Sequence, residues 1–319
     1  MDTRIEGYAF LTGAFMLAGS SVVAGKVLAG LPVFFAAAGG AAIALFALIP
    51  LAAGEARPAR GALRASLPLL AAQAFFGVAL FRVLMLAALS RASASEAGIA
   101  TSVTPVITAL LSALFLKERI HGRVAAGVAL AAAGIAALEA GGTAGPLELG
   151  RLLGCFLALG AAASESVFNV LSKKLDASIG PRRASAAVMA IAFLLLSVIS
   201  LISGEKANWR AIGTGQIVAF AYQGIFASAL AYMLWYAGIA RIPASTAGAF
   251  SGFIPLSSFA LSALVLGEKP RGWAYFGCAL AIGGILLCTL PQRGAAARRG
   301  AATRRKTLSR TVVAEEEAS

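Results

Sequence analysis

The sequence predicts an all-α, polytopic membrane protein with ten transmembrane helices arranged as two inverted five-helix repeats. Three observations support this prediction: an apolar composition, apolar runs long enough to cross a bilayer, and a pattern that returns at a fixed spacing. Of the 319 residues, 59% are hydrophobic and 13% are charged, and the mean hydropathy is +0.85. Such a composition does not suit a water-soluble surface.

Apolar runs of about 20 residues recur along the chain. A helix rises about 1.5 Å per residue, so about 20 apolar residues cross a hydrocarbon core of about 30 Å. A closed β-barrel would need short alternating strands, and runs such as AVMAIAFLLLSVISLI (187–202) do not alternate. The predicted helices are 8–28, 31–53, 66–89, 95–116, 122–140, 149–171, 184–203, 213–238, 245–266 and 272–290.

The net charge of +13 is distributed as in a membrane protein. The loops between predicted helices 2 and 3, 4 and 5, and 6 and 7, together with both chain ends, hold most of the Lys and Arg residues. This positive-inside bias predicts that both termini are cytoplasmic, and it argues against a nucleic-acid partner. Residues 291–319 are too polar to form a core, which predicts a disordered basic tail. The tail either binds anionic lipid or sets the topology.

One pattern occurs twice. TSVTPVITALLSALFLKER (101–119) and SGFIPLSSFALSALVLGEK (251–269) align without a gap at an offset of 150 residues. The chain is therefore predicted to hold a first repeat at 1–140 and a second at 141–290. Because each repeat has an odd number of helices, the second enters the membrane from the opposite side. Inverted repeats place a transport site near the midplane between the halves, which suits alternating access.

The duplicated segments carry Pro105 and Pro255 at matching positions. A proline within a helix removes a backbone donor and displaces the carbonyl four residues earlier, here that of Thr101 or Ser251. In lipid such a carbonyl must face protein, water or a ligand. These four residues are therefore predicted to form kinked gating elements at the transport site. The alternative is a pair of packing kinks satisfied by Thr or Ser hydroxyls.

Four segments, two of which include the duplicated pattern, support a family resemblance. They are ALSRASASEAGIATSVTPVITALLSALFLKERI (88–120), SESVFNVLSKKL (164–175), ASALAYMLWYAGIAR (227–241) and GIARIPASTAGAFSGFIPLSSFALSALVLGEK (238–269). With the spacing of the other helices, they make the chain resemble, to about residue 290, the ten-helix EamA-type exporters of the drug/metabolite transporter superfamily. The resemblance implies cytoplasmic termini, a central cavity lined by helices 1, 3, 4, 6, 8 and 9, and secondary transport. Helix 1 lacks the family's usual tryptophan, and Glu165 replaces an aromatic or small residue.

Two ionisable residues lie deep within predicted helices, where charge is costly. Glu165 shares one face of helix 6 with Asn169, and burial disfavours the charged form of a carboxylate, so Glu165 is a candidate proton carrier. Arg82 is a candidate for binding a substrate carboxylate, and its repeat mate Tyr232 would line the same cavity. The alternatives are a glutamate bonded to a neighbouring helix and an internal Arg82–Glu165 salt bridge. An axial gap of about 13 Å at about 1.5 Å per residue favours separate roles.

Other polar and aromatic residues have two possible roles each. Gln73 and Gln223 occupy equal places in the two halves, as ligand contacts or as interhelical bonds. Trp235 and Tyr236 are predicted to form an aromatic belt at the membrane surface. Glu118 either pairs with a neighbouring cation to steady its turn or is solvated.

The composition predicts neither a metal site nor a cofactor. His121 is the only histidine, and the three cysteines lie within predicted membrane helices. The sequence therefore predicts an inner-membrane exporter of amino acids or related metabolites, coupled to a proton gradient, that is monomeric or homodimeric. Its partners would be a small-molecule substrate and membrane lipid. Alternatives are drugs or nucleotide-like or sugar-like substrates, a channel, and a membrane enzyme, which would need clustered carboxylates or histidines at one face.

Overall fold

The computed structural model describes residues 3–28, 31–91, 100–139, 149–205, 212–266 and 272–289. Within these ranges the chain forms ten helices and no strand, as predicted. The helices are α1 (Thr3–Val27), α2 (Val33–Ala53), α3 (Ala62–Ala74, Phe75–Leu80 and Phe81–Leu89), α4 (Thr104–Phe115), α5 (Gly122–Glu139), α6 (Leu149–Lys173), α7 (Pro181–Ile202), α8 (Thr214–Tyr222, Gln223–Leu230 and Ala231–Ile239), α9 (Ala244–Ala249, Phe250–Gly252 and Phe253–Leu266) and α10 (Gly272–Thr289). The predicted repeat boundary at 140–141, the start of predicted helix 4 and the tail lie outside the described residues.

Apolar side chains cover the outside of the helix bundle. Phe46, Leu201 and Leu264 are 83%, 79% and 82% exposed. Five described stretches are each long and apolar enough to cross a membrane, namely Val33–Ala53, Ala62–Ala88, Leu152–Lys173, Pro181–Ile202 and Thr214–Ile239. An exposed apolar surface on helices of this length is the arrangement that lipid favours.

The helices α3 and α8 each widen into a π-helical turn at matching positions. The two π segments are Phe75–Leu80 and Gln223–Leu230, and the offset of 150 residues superposes most of their length. Such segments are rare, and they occur mostly at functional sites. These segments were not predicted from the sequence, because a π turn depends on packing and has no characteristic amino-acid composition. Each one brings small residues, such as Gly77 and Ala227, to the centre of the bundle.

The two prolines of the duplicated segment lie in the first turns of helices, after a break in each chain path. Regular α4 begins at Thr104, so Pro105 lies where a missing backbone donor costs little. The Thr104 hydroxyl donates a hydrogen bond of 2.8 Å to the Thr101 carbonyl. In α9 a 3₁₀ turn, Phe250–Gly252, precedes the helix that contains Pro255. Both prolines therefore follow a break, where the sequence predicted a kink inside one continuous helix.

A carboxylate of the second half caps a helix of the first half. Glu205, in the connection after α7, accepts hydrogen bonds from the backbone N–H groups of Phe34 (3.1 Å) and Phe35 (2.8 Å). The Ser200 hydroxyl donates a third hydrogen bond of 2.9 Å to this carboxylate. These N–H groups have no partner within α2, and the helix dipole favours a negative charge beside them. Glu205 thus fixes the start of α2 against the end of α7.

The first half caps a helix of the second half in the same way. Glu55, which matches Glu205 at the offset of 150, accepts hydrogen bonds from the backbone N–H groups of Arg182 (3.3 Å) and Arg183 (3.0 Å) in the first turn of α7. The Arg183 guanidinium in turn donates to the Glu55 carbonyl at 2.6 Å. Each half therefore supplies the cap for the second helix of the other half. A pair of inverted repeats produces such a reciprocal exchange.

Glycines bring the backbones of α5 and α10 into contact, with one glycine from each half. A Cβ atom added to Gly134 would overlap the backbone of Ala281, and one added to Gly284 would overlap the backbone of Ala131. Both pairs are related by the offset of 150 residues. Small residues allow helices in lipid to approach closely and to gain van der Waals contact.

We expect Gly134→Ala to destabilise the protein by about 1–3 kcal/mol, because the added methyl group must push α5 away from α10. Thermal unfolding of the purified protein in detergent measures the effect. Gly122→Ala is the matched control, because it lies on the same helix and its new Cβ would meet nothing within 4 Å. An equal unfolding temperature for both variants would contradict the close contact.

Removal of the Glu205 carboxylate leaves two backbone donors of α2 without their acceptor. We expect Glu205→Ala to lower the free energy of unfolding by about 1–3 kcal/mol. Glu6→Ala is the control, since Glu6 forms a partly exposed ion pair with Arg241 at 3.5 Å. Exposed ion pairs contribute about 0–1 kcal/mol. A smaller loss for Glu205→Ala than for Glu6→Ala in chemical unfolding would refute the role of this cap.

Candidate functional site

A cavity lies at the centre of the bundle and consists of three adjoining lobes. The polar lobe measures about 310 Å³ and is lined by Arg82, Gln223 and Ser228, among others. The helix-break lobe measures about 220 Å³ and includes Thr101, Thr104 and Ser251. The aromatic lobe measures about 110 Å³ and includes Phe15, Phe168 and Trp235. Helices α1, α3, α4, α6, α8 and α9 all contribute, as the family resemblance implied, and α2, α5 and α7 add further residues.

Glu165 lies where the three lobes meet, since it lines each of them. Its carboxyl group lies close to the Thr104 side chain, beside the break that precedes α4. One turn further along α6, Asn169 lines the aromatic lobe and donates a hydrogen bond of 3.4 Å to the Thr108 hydroxyl. The helical spacing therefore places both polar residues toward the cavity. The sequence had predicted one polar face for them.

Arg82 lines the polar lobe, two residues after the π segment of α3. Its Nε atom is buried and has no hydrogen-bond partner. Arg82 and Glu165 both belong to the described part of the chain, and no ion pair joins their side chains there. Tyr232 lines the cavity with them and is close enough to interact electrostatically with both. The two charged groups therefore face the same cavity from separate positions.

The two duplicated glutamines have different surroundings. Gln73 is fully buried, and its amide accepts a hydrogen bond from the Tyr236 hydroxyl and donates one of 3.4 Å to the Leu171 carbonyl. It lines none of the three lobes. Gln223 lines the polar lobe, and its Oε1 atom is buried without a partner. Of the two possible roles, the surroundings of Gln73 match an interhelical bond, and those of Gln223 leave its amide available to a ligand.

The prediction that Trp235 and Tyr236 form an aromatic belt is wrong. Their side chains are 5% and 4% exposed. Trp235 forms a wall of the aromatic lobe, with its ring centroid 5.4 Å from that of Phe15 and 5.8 Å from that of Phe168. The spacing of three residues between Tyr232 and Trp235 places both on one helical face, and this signal could have identified Trp235.

The residues predicted at the helix breaks are partly brought together. Thr101 and Ser251 line the helix-break lobe together with Glu165. Pro105 is buried in the first turn of α4 and does not line a lobe. The side chain of Pro255 lies outside what the structure describes. The breaks thus meet the cavity through the residues that precede the prolines.

Among the residues that the structure describes, four buried polar atoms around this cavity have no hydrogen-bond partner. They belong to four different residues and are Arg82 Nε, Gln223 Oε1, Trp235 Nε1 and Ser251 Oγ. Folded proteins bond nearly all of their buried polar groups, so each exception needs an explanation. This part of the cavity therefore offers both hydrogen-bond donors and hydrogen-bond acceptors to a polar ligand.

A polar cluster holds the turn between α8 and α9. The Glu118 carboxylate accepts hydrogen bonds from the backbone N–H groups of Ala244 (2.8 Å) and Ser245 (3.1 Å) at the start of α9. Lys173 Nζ donates to backbone carbonyls at the end of α8, including that of Ile239 at 2.7 Å. Glu118 therefore caps a helix, a role that neither sequence alternative foresaw. The cluster bonds backbone groups that lipid could not satisfy.

Comparison with known proteins identifies the family that this chain resembles. The model of the EamA-like transporter family matches residues 5–139 and again 152–290. The uncharacterized transporter YetK of Bacillus subtilis is 29% identical over 294 residues, which cover 91% of this chain and 88% of that protein. A solved crystal structure superimposes with a TM-score of 0.75 at 22% identity, covering 90% of this chain and 96% of that one. This likeness shows the shared fold.

Two further relatives have names that include a class of substrate. A probable terminal-alkyne amino-acid exporter of Streptantibioticus cattleyicolor is 28% identical over 239 residues, 74% of this chain and 77% of that protein. A probable amino-acid metabolite efflux pump of Escherichia coli is 28% identical over 190 residues, 56% of this chain and 62% of that protein. The twofold match of the family model covers most of the sequence. The chain therefore belongs to the EamA-like transporter family, in the drug/metabolite transporter superfamily, and is a membrane transporter and not an enzyme.

Proposed function

We propose that this protein exports amino acids or related zwitterionic metabolites across the bacterial inner membrane by proton-coupled alternating access. One observation supports this function above the others. Arg82 and Glu165 line the same central cavity without pairing with each other. Charged groups within a membrane protein are costly, and they persist where they bind a substrate or an ion.

Arg82 provides the site for a substrate carboxylate. A guanidinium offers two parallel N–H donors that match the two oxygens of a carboxylate. The unpartnered Nε atom of Arg82 gives it a free donor in the polar lobe. The Gln223 Oε1 atom, also unpartnered, gives the same lobe an acceptor for a substrate N–H group.

Glu165 provides the coupling to protons. Its position at the junction of the lobes lets its carboxylate meet a substrate ammonium group. A proton and an ammonium group would compete for the same oxygens, so protonation of Glu165 would release the substrate. Such competition between two cargoes at one site drives antiport in alternating access.

The duplicated architecture supports an alternating cavity. Inverted halves can exchange conformations, so that the cavity opens to one side and then to the other. The breaks before α4 and within α9 lie beside the cavity and supply two places at which helices can bend. The positive-inside bias of the sequence supports cytoplasmic termini for this transport cycle.

Glu165→Gln keeps the size of the side chain but removes its ability to carry a proton. We expect the variant to lose uptake or efflux driven by a pH gradient in reconstituted vesicles. Exchange of labelled for unlabelled amino acid, with no gradient, should lose its dependence on pH and need a higher substrate concentration, because the amide cannot pair with the substrate ammonium group. Asp176→Asn is the control, because Asp176 is exposed just beyond α6. Full pH-driven transport by Glu165→Gln would exclude Glu165 as the proton carrier.

Arg82→Lys keeps the positive charge but removes the paired donors. We expect the KM for amino acids to rise about tenfold or more, since hydrogen bonds between charged groups contribute about 1.5–3 kcal/mol. The matching decarboxylated amines serve as a control, because they have no carboxylate for Arg82 to bind. If amino acids and amines lose affinity to the same extent, Arg82 does not recognise the carboxylate.

A further inference from the structure

Trp235 contributes an indole N–H donor to the wall of the aromatic lobe, beside the polar side chains of Glu165, Asn169 and Tyr232. The rings of Phe15, Phe168 and Trp235 enclose this lobe, and all three side chains are buried. Phe168 and Trp235 stack at an interplanar angle of 27°, and Phe15 meets Trp235 edge-on at 72°. These contacts fix the indole ring in one orientation. Packing against the other two rings therefore positions the indole, and no hydrogen bond from its N–H group contributes to this.

The Trp235 N–H group has no hydrogen-bond acceptor among the described residues. Its Nε1 atom is buried, and the side chain is 5% exposed. Buried indole N–H groups usually find an acceptor. Leaving a buried donor unsatisfied costs free energy, and the simplest partner is an acceptor atom in a bound molecule.

The aromatic lobe continues directly from the polar lobe. Gly77, Ala227 and Tyr232 line both of them. Trp235 follows Tyr232 by three residues, which is about 4.5 Å along the helix axis. A substrate whose carboxylate is held by Arg82 would therefore extend its side chain past Tyr232 toward Trp235. A side chain of a few heavy atoms spans this distance.

We propose that Trp235 determines specificity by donating a hydrogen bond to an acceptor atom in the substrate side chain. The preferred substrate is an amino acid with a short, mainly apolar side chain that carries one oxygen acceptor. The aromatic rings contact its carbon atoms, and the indole N–H group bonds its oxygen. This inference rests on the proposed amino-acid export and adds the selection among side chains.

A matched pair of substrates isolates this hydrogen bond. O-Methylserine and norvaline have the same number of heavy atoms, and an ether oxygen in the first replaces a methylene group in the second. The ether oxygen accepts a hydrogen bond and donates none. Norvaline would leave the indole N–H group unpaired, and sites built to bond a polar group discriminate against such analogues. We expect the wild type to prefer O-methylserine by about 3- to 10-fold in KM.

Trp235→Phe keeps an aromatic ring in the wall and removes the donor. In counterflow with reconstituted vesicles, its KM for norvaline should stay near the wild-type value, and its preference for O-methylserine should fall to about onefold. Ile254→Val is the control, because it changes the lining of the same lobe without altering a donor or an aromatic ring. It should affect both substrates alike and retain the preference.

The outcomes separate this inference from the proposed function. Wild-type counterflow of amino acids without a preference for O-methylserine would overturn the role of Trp235 and leave amino-acid export intact. An unchanged preference in Trp235→Phe would do the same. Absence of counterflow for every amino acid in the wild type would overturn the proposed function and this inference with it. The wild-type ratio needs no variant, so the test does not depend on folding of Trp235→Phe.

Discussion

The hydrocarbon of a bilayer offers no hydrogen bonds, and every break in a helix of this protein must be resolved within the chain. The Thr104 hydroxyl bonds the Thr101 carbonyl at the break before α4. Glu118 bonds the free N–H groups at the start of α9, and Lys173 bonds carbonyls at the end of α8. These contacts allow irregular backbone to exist beside the cavity.

The same constraint joins the two halves. Glu55 caps α7 and Glu205 caps α2, so each half is complete only with a carboxylate from the other. Gly134 and Gly284 provide a second exchanged contact, in which the backbones of α5 and α10 touch. Such contacts hold the ends and one side of the bundle. The centre, where the π segments and helix breaks lie, is left to form the cavity.

Polar groups in the cavity show where bonding within the protein is incomplete. The unpartnered atoms of Arg82, Gln223, Trp235 and Ser251 all border the three lobes. In contrast, Gln73 has both sides of its amide bonded to neighbouring helices. The duplicated glutamines show how one ancestral position can serve packing in one half and face the cavity in the other. A cavity that retains free donors and acceptors can bind a polar molecule.

The sequence by itself determined the ten helices, the duplication and the two charged cavity residues. Apolar length sets the number of spans, the offset of 150 residues reveals the repeat, and the cost of charge in lipid singles out Arg82 and Glu165. Only the tertiary structure decided the π segments, the helix caps and the place of Trp235 in the cavity wall. Those features depend on neighbours far apart in the chain, as when Glu205 meets Phe34, and helical periodicity describes one helix at a time.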